Sequence, residues 1–269
     1  MSEIAPRQLI LTLYGLYARD ENNWLSVSSV VKLLGHLGVD SAGVRSSISR
    51  LKRRGVLHSM KAHGAAGYAL SDKVVEVLRE GDVRIFDRAR ATAADGFVLI
   101  VYSIPESERE KRHQLRATLT RMGFGTAAPG VWVAPGHLYD EVARTLERLG
   151  MQLYVDLFRS RYEAFGSLHD KVGQWWDLDG IDASYIDFID RYTDVRNRWK
   201  SSADEARTAF EIYVPMLTDW RRLPYLDPGL PLELLPASWN GSMAAELFAD
   251  LDALLRTPAR EHALTSIHS

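Results

Sequence analysis

Five cations crowd one short run of this chain, SAGVRSSISRLKRRGVL from Ser41 to Leu57. They are Arg45, Arg50, Lys52, Arg53 and Arg54, and no carboxylate accompanies them. Three serines, Ser46, Ser47 and Ser49, are set between the arginines. These are side chains that meet a polyanion at short range. The guanidinium offers a planar fork that matches a phosphate, or O6 and N7 of guanine, and a small hydroxyl lets the backbone approach closely. From Ser41 to Ser71 the chain carries six basic residues, the sixth being Lys61, and no acid, with His58 and His63 in addition. The formal charge of the whole chain is only -2. Such local concentration of one sign is the electrostatic footprint of a polyanion site.

The spacing says how these groups are presented. Val44, Ile48 and Leu51 fall at i, i+4 and i+7, one face of a helix. At about 100° per residue the opposite face holds Ser46, Ser49, Arg50 and Arg53, with Ser47 and Arg54 at its edges and Arg45 and Lys52 on the flanks. Ser41 is placed to cap this helix and Gly55 to close it. Two helices are expected before it. One, over about residues 7–18, has Leu9, Ile10, Leu13, Leu16 and Tyr17 inward; the next is capped by Ser26 or Ser28 and buries Val30, Val31, Leu34 and Leu37. After it, VLHSMKAHGAAGYAL reads as two short strands around a Gly/Ala loop, with Lys61, His63, Gly64 and Gly67 at the tip. Three helices and a hairpin make a winged helix-turn-helix, which lays its third helix in a major groove and touches flanking phosphates with the wing. The candidate DNA contacts are Arg45, Ser46, Ser47, Ser49, Arg50, Lys52, Arg53, Arg54, Lys61 and His63.

The rest of the chain limits the alternatives. Its 269 residues, 46% hydrophobic and 25% charged, have the composition of an ordinary globular protein. With no cysteine there are no disulfides, thiolate metal sites or cysteine nucleophiles. The apolar run near the N-terminus is short, is followed at once by Arg19, Asp20 and Glu21, and lacks a leader's cleavage signal. No segment approaches the roughly 18 apolar residues of a membrane span. A cytoplasmic protein without membrane contact is expected. Asp177, Asp179 and Asp182 lack the distal glutamate of a calcium loop, AHGAAG is no phosphate loop, and neither G-x-S-x-G nor H-E-x-x-H occurs. No catalytic residue, metal or cofactor is expected, and the protein is not read as an enzyme.

Residues 93–172 follow a β-α-β-α-β pattern, with a strand from Phe97 and helices over about Ser107–Met122 and Leu138–Leu149. There is room for one more short strand near Gly123–Ala128, which fits a ferredoxin-like βαββαβ domain. Residues 173–269 hold five of the seven tryptophans and three helical patterns, and read as an all-helical domain with a core of large side chains. The fold class is therefore α+β and multidomain. The expected segments are 1–92 (winged helix with a linker helix), 93–172 (ferredoxin-like, the dimerisation domain by the resemblance described next) and 173–269 (helical).

VLIVYSIPESEREKRHQLRATLTRMGFGTAAPGVWVAPG resembles the middle domain of the PaaX family, repressors of bacterial phenylacetate-degradation genes. VRSSISRLKRRGVL with GYALS resembles that family's winged helix, and DPGLPLELLP with SWNG its C-terminal signature. The matches come in the family's order and span most of the chain. The resemblance implies a homodimeric repressor of a phenylacetate-type catabolic operon, released from its DNA operator by an aryl-acyl-CoA effector, with phenylacetyl-CoA as the type case. Arg196, Arg198, Lys200, Arg221 and Arg222 are cations that could meet CoA phosphates, although surface charge explains them equally, and no pocket is assigned.

Two other classes compete. The middle segment is also similar to small CRISPR-associated ferredoxin-like nucleases, whose metal is held by an aspartate in a Tyr-Asp-Ile context. This chain has Tyr102-Ser103-Ile104, and a serine hydroxyl poorly replaces a carboxylate on a hard metal. The third class is a protein-assembly module whose winged segment binds protein instead of DNA.

Overall fold

The computed structural model describes residues 4–87, 90–163, 165–199 and 205–269. The chain is α+β and divides into two compact units. The first comprises Met1–Ile85, Phe188–Arg221 and Met243–Ser269; the second comprises Phe86–Asp187 and Arg222–Ser242.

In the first unit, helix α1 (Pro6–Leu13) continues into a π turn and reaches strand β1 (Trp24–Ser26). Helices α2 (Val27–His36) and α3 (Ser41–Arg53) follow, then the hairpin β2 (Leu57–Ala62) and β3 (Ala65–Leu70), then α4 (Asp72–Phe86). Three antiparallel strands pair in the order β1-β3-β2. The three-residue β1 has no legible signal in the sequence, since three residues cannot show a period of two. Ser26 caps α2 by accepting from the Ser29 amide at 3.0 Å. The inner face of α2 is Ser29, Val30, Leu33 and Leu34, whereas Val31 and Leu37 are only half-buried.

The second unit carries β4 (Phe97–Tyr102), α5 (Arg109–Arg121), β5 (Gly125–Ala128), β6 (Val131–Pro135), α6 (Tyr139–Arg148) and β7 (Val155–Ser160). Its sheet is antiparallel throughout, in the order β5-β6-β4-β7. Side chains of β4 alternate between two cores. Val98 and Ile100 meet Leu115 and Leu119 of α5 and Val142 and Leu146 of α6. Phe97 faces the other way, onto Val172, Trp176, Leu178, Leu230 and Leu235. Cover on both faces, with Val101 alone exposed, explains why β4 is an unbroken apolar run.

The last third of the chain is helical but does not stand as one unit in space. Helix α7 (Leu168–Trp175), the start of α8 (Leu178–Arg198) and residues Arg222–Ser242, with the short helix α10 (Leu223–Leu226), belong to the second unit. The end of α8, all of α9 (Glu205–Trp220) and nearly all of α11 (Gly241–His268) belong to the first. The cause is the apolar face each helix must bury. Phe210, Tyr213, Val214 and Leu217 of α9 are buried; α9 packs on α1, where Thr12 and Thr218 share a buried hydroxyl bond of 2.7 Å, and the Tyr213 hydroxyl donates to Asp252 of α11 at 2.7 Å. Trp220 stacks on Phe248 at 4.5 Å and donates from Nε1 to the Ile85 carbonyl.

Candidate nucleic-acid interface

Helix α3 begins where an acid caps it. Asp40, not Ser41, is the N-cap: its Oδ1 accepts from the Gly43 amide at 2.8 Å, and its charge complements the positive end of the helix dipole. Asp40→Ala is expected to lower stability by about 1 kcal/mol, and Asp40→Asn by much less, in urea or thermal melts. Gly55, at φ 68°, turns the chain out of the helix.

Val44, Ile48 and Leu51 are buried as the periodicity predicts. Arg45, Ser46, Ser49, Arg50, Lys52, Arg53 and Arg54 are exposed. Ser47 is the correction. It is 8% exposed, so it packs inward and is not available as a contact. Around the helix it lies about 40° beyond Leu51, on the border of the apolar stripe, and a side chain this small is drawn into the core there.

The exposed cations are not neutralised from within, among the described residues. Among the described residues, no carboxylate is ion-paired with Arg45, Arg50, Lys52, Arg53, Arg54 or Lys61. Arg50 donates to the Ser46 hydroxyl at 3.3 Å, one turn back, which holds the guanidinium along the helix face. Lys52 lies with its ammonium 5.6 Å from the centre of the Tyr68 ring on β3, so the helix and the hairpin meet at this lysine.

The hairpin is held by a residue that sequence reasoning missed. The Trp24 indole, from β1, donates to the Met60 carbonyl on β2 at 3.1 Å and lies 6.0 Å from the His63 ring at the tip. It crosses β3 at Gly67, where a Cβ would stand 2.4 Å from the indole and 2.3 Å from the Leu25 carbonyl. Gly67 is therefore a close-approach glycine under the tryptophan and not part of the tip. The signal that could have found it is an isolated glycine inside a strand pattern. The turn itself is His63-Gly64, both at positive φ (51° and 76°), the backbone of a tight two-residue hairpin turn. Lys61 and His63 are exposed there.

The second unit offers different chemistry. Ser103 is exposed just beyond β4, its amide donating to the Tyr154 carbonyl at 3.0 Å. Nearby, Glu108 is paired with Lys111 and accepts from the Tyr154 hydroxyl at 2.8 Å. The Lys111 and Tyr154 hydrogen bonds hold its carboxyl below the usual carboxylate range. This acid is already saturated by a lysine and a phenol. Among the described residues no group of three or more His, Cys, Asp or Glu could hold a metal ion, and no helix is long and apolar enough to cross a membrane.

Of the cations considered for CoA phosphates, Arg196 is paired with Asp250 at 3.1 Å and Arg221 donates to the Gln8 carbonyl at 3.4 Å. Arg222 is exposed. Lys200 and the side chain of Arg198 lie outside the described residues. The aromatic side chains of the last third mostly fill cores, with Trp176, Tyr185, Phe188 and Trp220 all buried.

Three family models match consecutive parts of the chain: "PaaX-like protein" over residues 5–74, "PaaX protein central Cas2-like domain" over 90–172, and "PaaX-like protein C-terminal domain" over 176–265. The chain is 30% identical over 251 residues to "Transcriptional repressor PaaX" of Escherichia coli (strain K12), covering 91% of this chain and 78% of that one. Among solved structures it is similar to "Uncharacterized protein Rv0674 from Mycobacterium tuberculosis". The TM-score is 0.58 at 23% identity, covering 97% of this chain and all of that one, which is a likeness of fold.

Proposed function

The chain belongs to the PaaX family, and from that premise we propose that it is a DNA-binding transcriptional repressor and not an enzyme. The observation that carries this reading is the row of exposed cations on α3 with no internal carboxylate partner among the described residues. A row of this kind is left unneutralised at a cost in self-repulsion, and a duplex backbone offsets that cost.

In this reading α1 to α3 with the β1-β3-β2 sheet form a winged helix-turn-helix. Helix α3 lies in the major groove. Arg50, Arg53, Ser46 and Ser49 read base edges with Arg54 at the margin, and Arg45, Lys52, Lys61 and His63 touch phosphates. The βαββαβ order and the strand order β5-β6-β4-β7 support a ferredoxin-like middle domain, through which two copies pair so that two α3 helices meet an inverted repeat. Taken as segments of sequence, 1–92 reads DNA, 93–172 pairs, and 173–269 packs as helices. The protein works in the cytoplasm, on genes for the breakdown of a phenylacetate-type aromatic acid.

Release comes from an aryl-acyl-CoA that binds the DNA-incompetent arrangement better; by linkage it must weaken operator binding by the factor by which operator weakens it. Gel shifts on duplexes selected from a random pool test both parts. Phenylacetyl-CoA is expected to weaken operator binding about 5- to 150-fold, with no effect of free phenylacetate. No response to the thioester removes the effector, whereas no salt-dependent binding to any duplex removes the repressor.

A further inference from the structure

Helix α2 is gripped at both ends by α11. In its first turn Ser29, already bonded to the cap hydroxyl of Ser26 at 2.7 Å, donates from Oγ to the Ile267 carbonyl at 3.4 Å. At its last residue, His36 Nδ1 meets His262 Nε2 at 2.9 Å, with ring centroids 4.9 Å apart. Phe210 of α9 backs the pair, 5.3 Å from the His262 ring. Two further contacts tie α11 to the turn ahead of β1: Arg260 to Asp20 at 2.7 Å and His268 to Glu21 at 3.0 Å.

The two grips on α2 lie seven residues apart, about 10 Å along the axis. One contact would leave a pivot, whereas two fix both the tilt and the rotation of α2. Helix α2 packs directly on α3 and joins it through a short turn ending at the Asp40 cap. A change in the seat of α2 therefore moves α3. Phosphate contacts by long, flexible cations tolerate such a movement, but bidentate base contacts do not, because their donors must hold position to about 0.5 Å.

We propose that the last turns of α11, through His262 and Ile267, are a positioning brace for sequence-specific DNA recognition. They hold α2 at the angle at which Arg50 and Arg53 meet base edges. The inference rests on the DNA-binding reading above and extends it to residues that touch no part of the proposed duplex site. The histidine pair needs one N–H and one lone pair, which a glutamine amide can also supply.

The test uses the full chain, a duplex selected from a random pool, a scrambled duplex and thermal melting. His262→Ala is expected to weaken binding to the selected duplex about 3- to 30-fold. Binding to scrambled duplex should not change, and the melting temperature should fall by only a few degrees. His262→Gln should recover most of the loss, and His36→Ala combined with His262→Ala should be no worse than either alone. Equal losses on both duplexes, or unchanged discrimination with a lowered melting temperature, would overturn the brace and leave only a stability contact. If the unsubstituted chain prefers neither duplex, the DNA-binding reading falls and the brace with it; if it discriminates and His262→Ala discriminates equally well, the brace alone falls.

Discussion

Asp227→Ala is expected to destabilise the second unit by about 2–4 kcal/mol, the cost of removing a buried carboxylate from three donors, of which Arg90, its side chain 23% exposed, keeps some contact with water. Asp227 is 1% exposed. Its Oδ2 accepts from the Tyr185 hydroxyl at 2.9 Å and from Arg90 at 3.3 Å, and its Oδ1 accepts from the Gly229 amide at 2.8 Å. Arg90 also donates to the Leu230 carbonyl at 3.0 Å, and the Ala91 amide to the Gly229 carbonyl at 2.8 Å. One carboxylate thus pins the segment after α4, the buried part of α8 and the Pro-Gly turn at 228–229. Alanine leaves a guanidinium, a buried hydroxyl and an amide each short of this acceptor. The melting temperature should fall on the order of 10 °C. Asp227→Asn, which keeps the shape and an acceptor oxygen, should lose less. Unchanged melting in the alanine variant would mean that the carboxylate is not holding these strands of chain together.

The second large effect is on binding. Replacing both Arg50 and Arg53 by alanine should cost about 1–3 kcal/mol per arginine on the selected duplex, or about 5- to 150-fold each. On random duplex the loss should be small. Both residues are exposed, lie on the outer face of α3 and have no acidic partner among the described residues, so their removal leaves no buried gap and should not change melting. Salt titration separates the two kinds of contact. Loss of a phosphate contact lowers the slope of log K against log salt by about 0.9, while loss of a base contact leaves the slope alone. If both duplexes weaken equally and the slope drops by about two such steps, these arginines hold the backbone and read no sequence.

Much of this site was legible in the residues because it is built inside single elements. The Val44, Ile48, Leu51 stripe fixes which way α3 turns, and so which way Arg50 and Arg53 point. Gly55 needs only its own φ, and the hairpin needs only His63-Gly64. The family resemblance was legible for a similar reason, since motifs such as DPGLPLELLP are contiguous. The position of Ser47 was not, because a small polar residue on the edge of an apolar stripe is drawn in or left out by what packs there. Asp40 and Ser41 are both good caps, and only the backbone that enters the helix decided between them.

Spacing, turn residues and charge determined most of the elements of this protein, though not β1, and the face that α3 shows to solvent. Tertiary structure decided where the C-terminal helices go: α9 and most of α11 onto the first unit, α7 and the Asp227 segment into the second. It also placed Trp24 across Gly67 and His262 against His36. The physical reason is that an apolar helix face demands burial without naming its partner. The periodicity of α9 would suit several cores equally well, and contacts such as Thr12 with Thr218, 206 residues apart, follow from the shape of the packed surfaces and leave no local pattern.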